Sequence, residues 1–203
     1  MALHLASIVE GKGELEAVPV LIRRILAENN IHDAVILQPV RVRRNKVLKD
    51  SDIELSRAIQ HAIEKFDNIA GSILILIDSE GDRAVEISNR LARRAHDLRS
   101  DLPIHVVVAH TKYETWFLAG VNTLAGERGL QHNLPNPPSA EAVQDPKRWL
   151  KDHMAGSRTY SETTDQAAFS AAFDMSAARR NSRSFDKFYR TVCEVARSVR
   201  RPR

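Results

Sequence analysis

The stretch Ser72-Ile73-Leu74-Ile75-Leu76-Ile77, followed at once by Asp78-Ser79-Glu80-Gly81-Asp82, decides the fold class. Its apolar residues run without the polar alternation of a half-buried strand, the pattern of a central parallel strand covered by helices on both faces. The abrupt change to acids and glycine ends that strand in a loop. On the N-terminal side, Leu55, Ile59, Ile63 and Phe66 recur at helical spacing after Ile53, and Ser51 with Glu54 three residues on forms a capping-box pattern. Before that helix, residues 34–42 are rich in β-branched types and predict a second strand. The strand runs into the basic segment Arg41-Val42-Arg43-Arg44-Asn45-Lys46, expected as an exposed loop.

Residues 3–9 read as a first strand. Leu15, Val18, Leu21, Ile22 and Ile25 mark a helix over 14–29 that should begin near Pro19 or bend there. On the C-terminal side, an arginine-rich helix to about residue 99 precedes a fourth strand over 104–109 and a short helix over 112–120 carrying Trp116 and Phe117. This alternation is that of an α/β protein with a parallel sheet of about four strands flanked by helices, in which a 2-1-3-4 order is expected. Residues 126–146, rich in Pro, Asn and Gly, predict a loop or lid. Helical patterns return over 146–154, 165–173 and 184–199 before a basic tail that includes Arg200, Arg201 and Arg203. The expected organisation is an α/β domain over 1–125, with the lid and a helical extension over 126–203 packed on it.

A chain of 203 residues with 43% apolar content can bury a real core. Its single cysteine, Cys193, excludes an intramolecular disulfide framework, sits at a core position of the last helical pattern, and suits a reducing cytoplasm. No apolar run approaches the roughly 20 residues needed to span a bilayer, and no basic leader precedes the first strand, so a soluble protein without a membrane partner is expected. A net charge of +4 permits a polyanionic partner without requiring one.

Two apparent buried strands end in acid, the first at Glu10 and the third at Asp78. Open parallel sheets bind ligands beyond the carboxyl ends of their strands, where the strand order reverses, so both acids should meet in one crevice. Clustered carboxylates raise one another's pKa and are hard to justify on stability grounds unless a cation neutralises them; oxygen ligands favour magnesium, manganese or calcium. Other motifs fail on the same residues. Asp78-x-Glu80-x-Asp82 opens like a calcium loop, but Arg83 stands where glycine is required and Asn89 at the twelfth position. Gly11-Lys12-Gly13 is not completed as a phosphate loop, and no Gly-x-Ser-x-Gly elbow is present. His110 follows the fourth strand and could face the crevice.

Ile8-Val9-Glu10-Gly11 and Ile77-Asp78-Ser79-Glu80-Gly81-Asp82 resemble the two halves of a Toprim site, shared by primases, type II topoisomerases and old-family nucleases. The resemblance implies an acid–base role for Glu10 and magnesium binding by Asp78 and Glu80, with Asp82 as a further acid. One departure is that Glu80 stands where the family's pattern has a second aspartate. A wider likeness runs to a bacterial family of small Toprim-like proteins often encoded beside ATPases in phage-defence loci. It rests on Val9-Glu10-Gly11 with Glu14, the Asp78 motif, Lys112-Tyr113-Glu114-Thr115-Trp116-Phe117-Leu118-Ala119, and Tyr160 through Asp165-Gln166 to Ser184-Phe185.

What the resemblance implies is a metal-dependent phosphodiesterase or nuclease acting on DNA or RNA, in anti-phage defence, with a nearby ATPase as partner. The alternatives are a regulatory or effector subunit that acts by binding that ATPase, and a receiver-like pocket phosphorylated on Asp78. One or two Mg2+ or Mn2+ ions are expected on Glu10, Asp78, Glu80 and Asp82, of which Glu10, Asp78 and Glu80 are the catalytic candidates. Glu14 and Glu114 are additional site acids, the latter because it starts a helix beyond the fourth strand. Lys12, Arg41, Arg43, Arg44, Lys46, Arg83 and Lys112 are candidate phosphate contacts, as are the tail arginines.

Overall fold

The structure is a computed structural model that describes residues 3–49, 51–67, 69–135, 137 and 139–198. Strand β1 (Leu3–Val9) leads through helix α1 (Glu14–Glu28) to two short strands, β2 (Ala34–Ile36) and β3 (Val40–Arg41). One helical turn, α2 (Arg44–Val47), and helix α3 (Ile53–Glu64) lead back to β4 (Gly71–Asp78). Helix α4 (Ala84–Leu98), β5 (Ile104–Ala109) and the short α5 (Thr115–Ala119) follow, then α6 (Pro146–Asp152), α7 (Glu162–Ala172), α8 (Met175–Asn181) and α9 (Arg183–Ser198).

The sheet is parallel in the order β2-β1-β4-β5, with β3 also paired to β1, so the expected order holds and the strand order reverses between β1 and β4. Ile8 lies opposite Ile75, and Asp78 opposite Ala109. One predicted strand is split. Pro39 has no N–H to give to the ladder, so residues 34–42 form two pieces that pair with successive stretches of β1.

The period-two pattern of the central strands feeds two cores. Leu5, Val9, Leu74, Leu76 and Val107 face α1, α5, α7 and α9; Ile8, Ile73, Ile75, Ile77 and Val108 face α3 and α4. Burying both faces explains why β4 carries no alternation. The residues beyond 126 build into the first of these cores: Leu150, Phe169, Phe173, Phe185, Phe188 and Val192 share it with Leu21, Trp116 and Phe117. Cys193 is buried there as a core residue.

Helix α1 runs without interruption through Pro19, which is buried inside it, rather than starting there. The capping box expected at Ser51 does not form: Asp52 is the N-cap with no side-chain cap bond, its carboxylate being held by Arg94 at 2.6 Å while Glu54 pairs with Arg57. Helix α8 was not expected from the sequence; Asp174 caps it by accepting from the Ala177 N–H at 2.9 Å. The tail arginines Arg200, Arg201 and Arg203 lie outside the described residues. No helix among the described residues is long and apolar enough to cross a membrane.

Candidate functional site

Because β1 and β4 are neighbouring parallel strands, the residues that follow Val9 and those that end β4 leave the sheet at one edge. There the Asp78 N–H donates to a Glu10 carboxylate oxygen at 3.4 Å, and the Glu10 N–H donates to the Glu14 carboxylate at 3.1 Å. Glu14 opens α1, where the helix dipole favours a negative charge, yet it is only 4% exposed. Glu114, immediately ahead of α5, is fully buried. One of its oxygens accepts from the Tyr160 hydroxyl at 3.0 Å and from the Gln166 amide at 3.4 Å; the other has no partner.

Four carboxylates thus crowd into a poorly solvated space, and their electrostatics show it. Burial pushes Asp78 well above the usual carboxylate range, and Glu14, Glu114 and Glu10 push it further. Burial likewise lifts Glu14 to about 8, with Glu114 and Glu10 adding to the shift while the N–H groups of Gly11 and Glu10 oppose it. Glu10 is raised by burial and by Glu80; Glu114 is raised by burial, against the pull of Lys147.

The two outer acids of the β4–α4 loop behave differently. Glu80 and Asp82 are exposed and pair with Arg44, at 3.4 Å for Glu80 and closer for Asp82. The same guanidinium donates to the carbonyl oxygens of Asp78 and Ser79, each at 2.9 Å. Glu80 has φ 50° and Gly81 φ 94°, backbone that costs a glutamate about 1 kcal/mol or more and persists only where contacts impose it. The Ser79 hydroxyl supplies a further tie by accepting from the Thr111 N–H at 2.7 Å. Arg44 was expected in an exposed loop as a phosphate contact; the structure places it in a helical turn, largely buried, as the anchor of the acidic loop.

A cleft of about 720 Å³ opens over this edge. Glu10 and Glu80 lie at its acidic side, Lys12, Arg41, Arg43 and Arg44 along another, and Lys147 with the start of α7 close it. Lys147 reaches Glu162 at 2.7 Å and Glu114 at 4.0 Å. Burial lowers its pKa, but Glu114 and Glu162 outweigh that and raise it, so its ammonium stays charged against the cluster.

Of the expected acids, Glu10, Asp78, Glu14 and Glu114 converge, and Glu80 lines the cleft, whereas Asp82 turns outward to Arg44 and a separate surface depression along α4. Among the expected cations, Lys12, Arg41 and Arg43 line the cleft; Lys46 lies on an adjoining groove, Arg83 pairs with Glu86 at 2.6 Å away from it, and Lys112 does not line it. His110 turns to the lid, its ring 3.0 Å from the Glu141 carbonyl. Lys147 and Glu162 escaped sequence reasoning, because nothing local in a lysine after a proline-rich loop marks a contact with an acid more than thirty residues earlier. Tyr160 and Gln166 were singled out only as parts of a resemblance, and their bonds to Glu114 give that pattern a physical basis.

The donors are all oxygen, which suits magnesium or manganese in kind. Glu114 keeps a buried oxygen without a partner, and the four carboxylates exceed the charge that Lys147 balances. Among the described residues no three acid, histidine or cysteine side chains stand as a ready coordination shell, so a bound ion would draw these donors together.

No curated protein and no solved structure matches the chain. A family model described as "Domain of unknown function (DUF4276)" matches residues 9–192, nearly the whole length, and the chain belongs to that family.

Proposed function

We propose that the protein is a metal-dependent phosphodiesterase acting on nucleic acid. The observation that carries this reading is the convergence of Glu10, Glu14, Asp78 and Glu114 at the switch point of a parallel sheet, directly beneath a cleft with a cationic wall. A buried acidic cluster of this kind destabilises the fold, and its cost is relieved by a divalent cation. Glu10, Asp78, Glu14 and Glu114 would hold such an ion, with Glu80 within reach from the loop. When bound, the ion supplies charge neutralisation at the phosphoryl oxygens and lowers the pKa of a ligated water.

The remaining roles belong to the chain. Glu10 lines the cleft half-buried, the place for a carboxylate that takes a proton from an attacking water. Lys147 presents a fixed positive charge at the cleft wall, and Lys12, Arg41 and Arg43 present cations for the phosphates flanking the reacting bond. The resemblance noted in the sequence adds anti-phage defence and an ATPase partner to the reading.

The test is cleavage of DNA and RNA in Mg2+ or Mn2+, by the protein alone and with any ATPase found encoded beside it, comparing wild type with Glu10→Gln and Asp78→Asn. Cleavage lost in both folded variants supports the reading; no cleavage under any condition removes it.

A further inference from the structure

We propose that the nucleic acid bound here is a duplex, held by its phosphates along a second groove that continues the acidic cleft. The inference deepens the phosphodiesterase reading and rests on it for the position of the reacting bond. The second groove, about 380 Å³, is lined by Arg41, Arg43, Lys46, Arg57 and His61, with Glu54 as its acid. It shares Arg41, Val42 and Arg43 with the cleft, so the two are continuous.

The local sequence explains why these cations face out. Val40 and Val42 point inward and are buried, so the alternation of an extended chain turns Arg41 and Arg43 outward. Val47 then anchors the α2 turn in the core and leaves Lys46 exposed. Arg94 from α4 clamps the segment, donating to the Val47 carbonyl at 2.9 Å and the Ser51 carbonyl at 3.1 Å. The backbone that carries the cations is therefore held before any ligand arrives.

Apart from Arg41, which donates to the Glu10 carbonyl at 3.2 Å, these charges are little used by the fold. The side chains of Arg43 and Lys46 make no hydrogen bond or ion pair with any described residue, and the exposed Arg57–Glu54 pair at 3.4 Å contributes little. Like charges gathered on a fixed segment repel one another, and a polyanion is the ligand that reverses the sign of that interaction. The charge is also segregated: acids gather under the cleft and cations along the groove beside it. A phosphate backbone seated on the groove would deliver one of its bonds over the acids.

The choice of duplex comes from the aromatic side chains. Proteins that hold single strands pair their cations with aromatic faces on which bases stack. Here every Phe and every Tyr is buried, Trp116 is fully buried, and Trp149 stacks on His153 at 4.0 Å. Among the described residues no Phe, Tyr or Trp lines the cleft or the groove, whose one ring is the His61 imidazole. What the surface offers is charge for phosphates, which serves a stacked helix with its bases turned inward and reads no sequence.

The experiment is fluorescence anisotropy in EDTA with a short labelled duplex, as DNA and as RNA, against the single strand of equal length over a salt series. Wild type is compared with Arg43→Glu/Lys46→Glu and with Arg23→Glu, an exposed arginine on α1 across the sheet. Both substituted groove residues are exposed, and unchanged melting temperatures verify the fold. The expected result is tighter duplex binding, a fall of roughly 10-fold or more in the double variant with a salt slope smaller by about 2, and no change in Arg23→Glu. Tighter single-strand binding, no binding, or a double variant that binds like wild type overturns the proposal. Adding Mg2+ separates the two readings: duplex binding without cleavage removes the phosphodiesterase and leaves the groove, whereas cleavage with no duplex preference does the reverse.

Discussion

The Nε of Arg44 donates to the carbonyl oxygen of Asp78 at 2.9 Å, so the last residue of β4 is gripped by a side chain from 34 positions earlier in the chain. The same guanidinium holds the Ser79 carbonyl and pairs with Glu80 and Asp82, which fixes the acidic loop in its left-handed turn. A planar fork of donors can serve all four groups at once, and an ammonium cannot. Arg44→Lys is therefore expected to lower metal affinity and cleavage by about 10- to 100-fold, as loss of an outer support does, while the protein stays folded. Metal titration followed by calorimetry checks this; a lysine variant equal to wild type would show that the loop holds without the clamp.

Asp78 is 7% exposed and hemmed by Glu10, Glu14 and Glu114, so its negative charge is a burden on the metal-free fold. Asp78→Asn keeps the shape and removes that charge. The variant is expected to be more stable than wild type in EDTA at pH 8, by on the order of 1 kcal/mol, while losing cleavage. Urea unfolding in chelator measures the first effect and the nuclease assay the second. A residue selected for packing would behave in the opposite way, losing stability with no link to activity.

The sheet and its acidic edge were legible because they rest on short-range signals: the run from Ile73 to Ile77 ending in Asp78, and the β1 run ending before Glu10, are each visible within ten residues. The strand order followed from the doubly wound pattern of alternating strands and helices. What was hidden is long-range. The Arg44 clamp, the Lys147 contact with Glu114 and the bonds of Tyr160 and Gln166 join segments 33 to 52 residues apart, and nothing local in their sequences announces a partner. The helical extension was visible as helices, but its share in the core of α1 and α5 was not, since an amphipathic pattern says that a face is buried without saying against what.

A carboxyl whose pKa rises on folding binds its proton more tightly in the native protein than in the unfolded chain. For Glu14, lifted by burial from 4.5 to about 8, that contribution to stability is full below about 4.5 and is lost as pH rises through about 8. Asp78, Glu10 and Glu114 shift in the same direction, and Lys147 opposes them with its positive charge. In EDTA the melting temperature is therefore expected to fall between pH 5 and pH 8. Saturating Mg2+ should flatten that slope, because the ion takes over the neutralising role of the protons. Thermal melts across this range with and without the ion decide it, and a metal-free stability that rises over the same interval would contradict the arrangement of charges described here.

Gly13 has φ −68°, a conformation open to any residue, so its lack of a side chain answers to space alone. A Cβ there would stand 2.1 Å from the Gln166 Oε1 and 2.3 Å from the Glu162 carbonyl oxygen, inside contact distance of both. The second of these is backbone of α7 and cannot swing aside. Gly13→Ala is therefore expected to push α7 away from the start of α1, at a cost of about 1–3 kcal/mol. The displacement also draws Gln166 off Glu114 and Glu162 off Lys147, so activity should fall by more than the loss of stability alone accounts for. Urea unfolding together with cleavage measured well below the melting temperature separates the two effects. Full activity in a destabilised Gly13→Ala protein would show that α7 merely covers the site, whereas a joint loss makes the helical extension part of the machinery that the Glu10 and Asp78 edge requires.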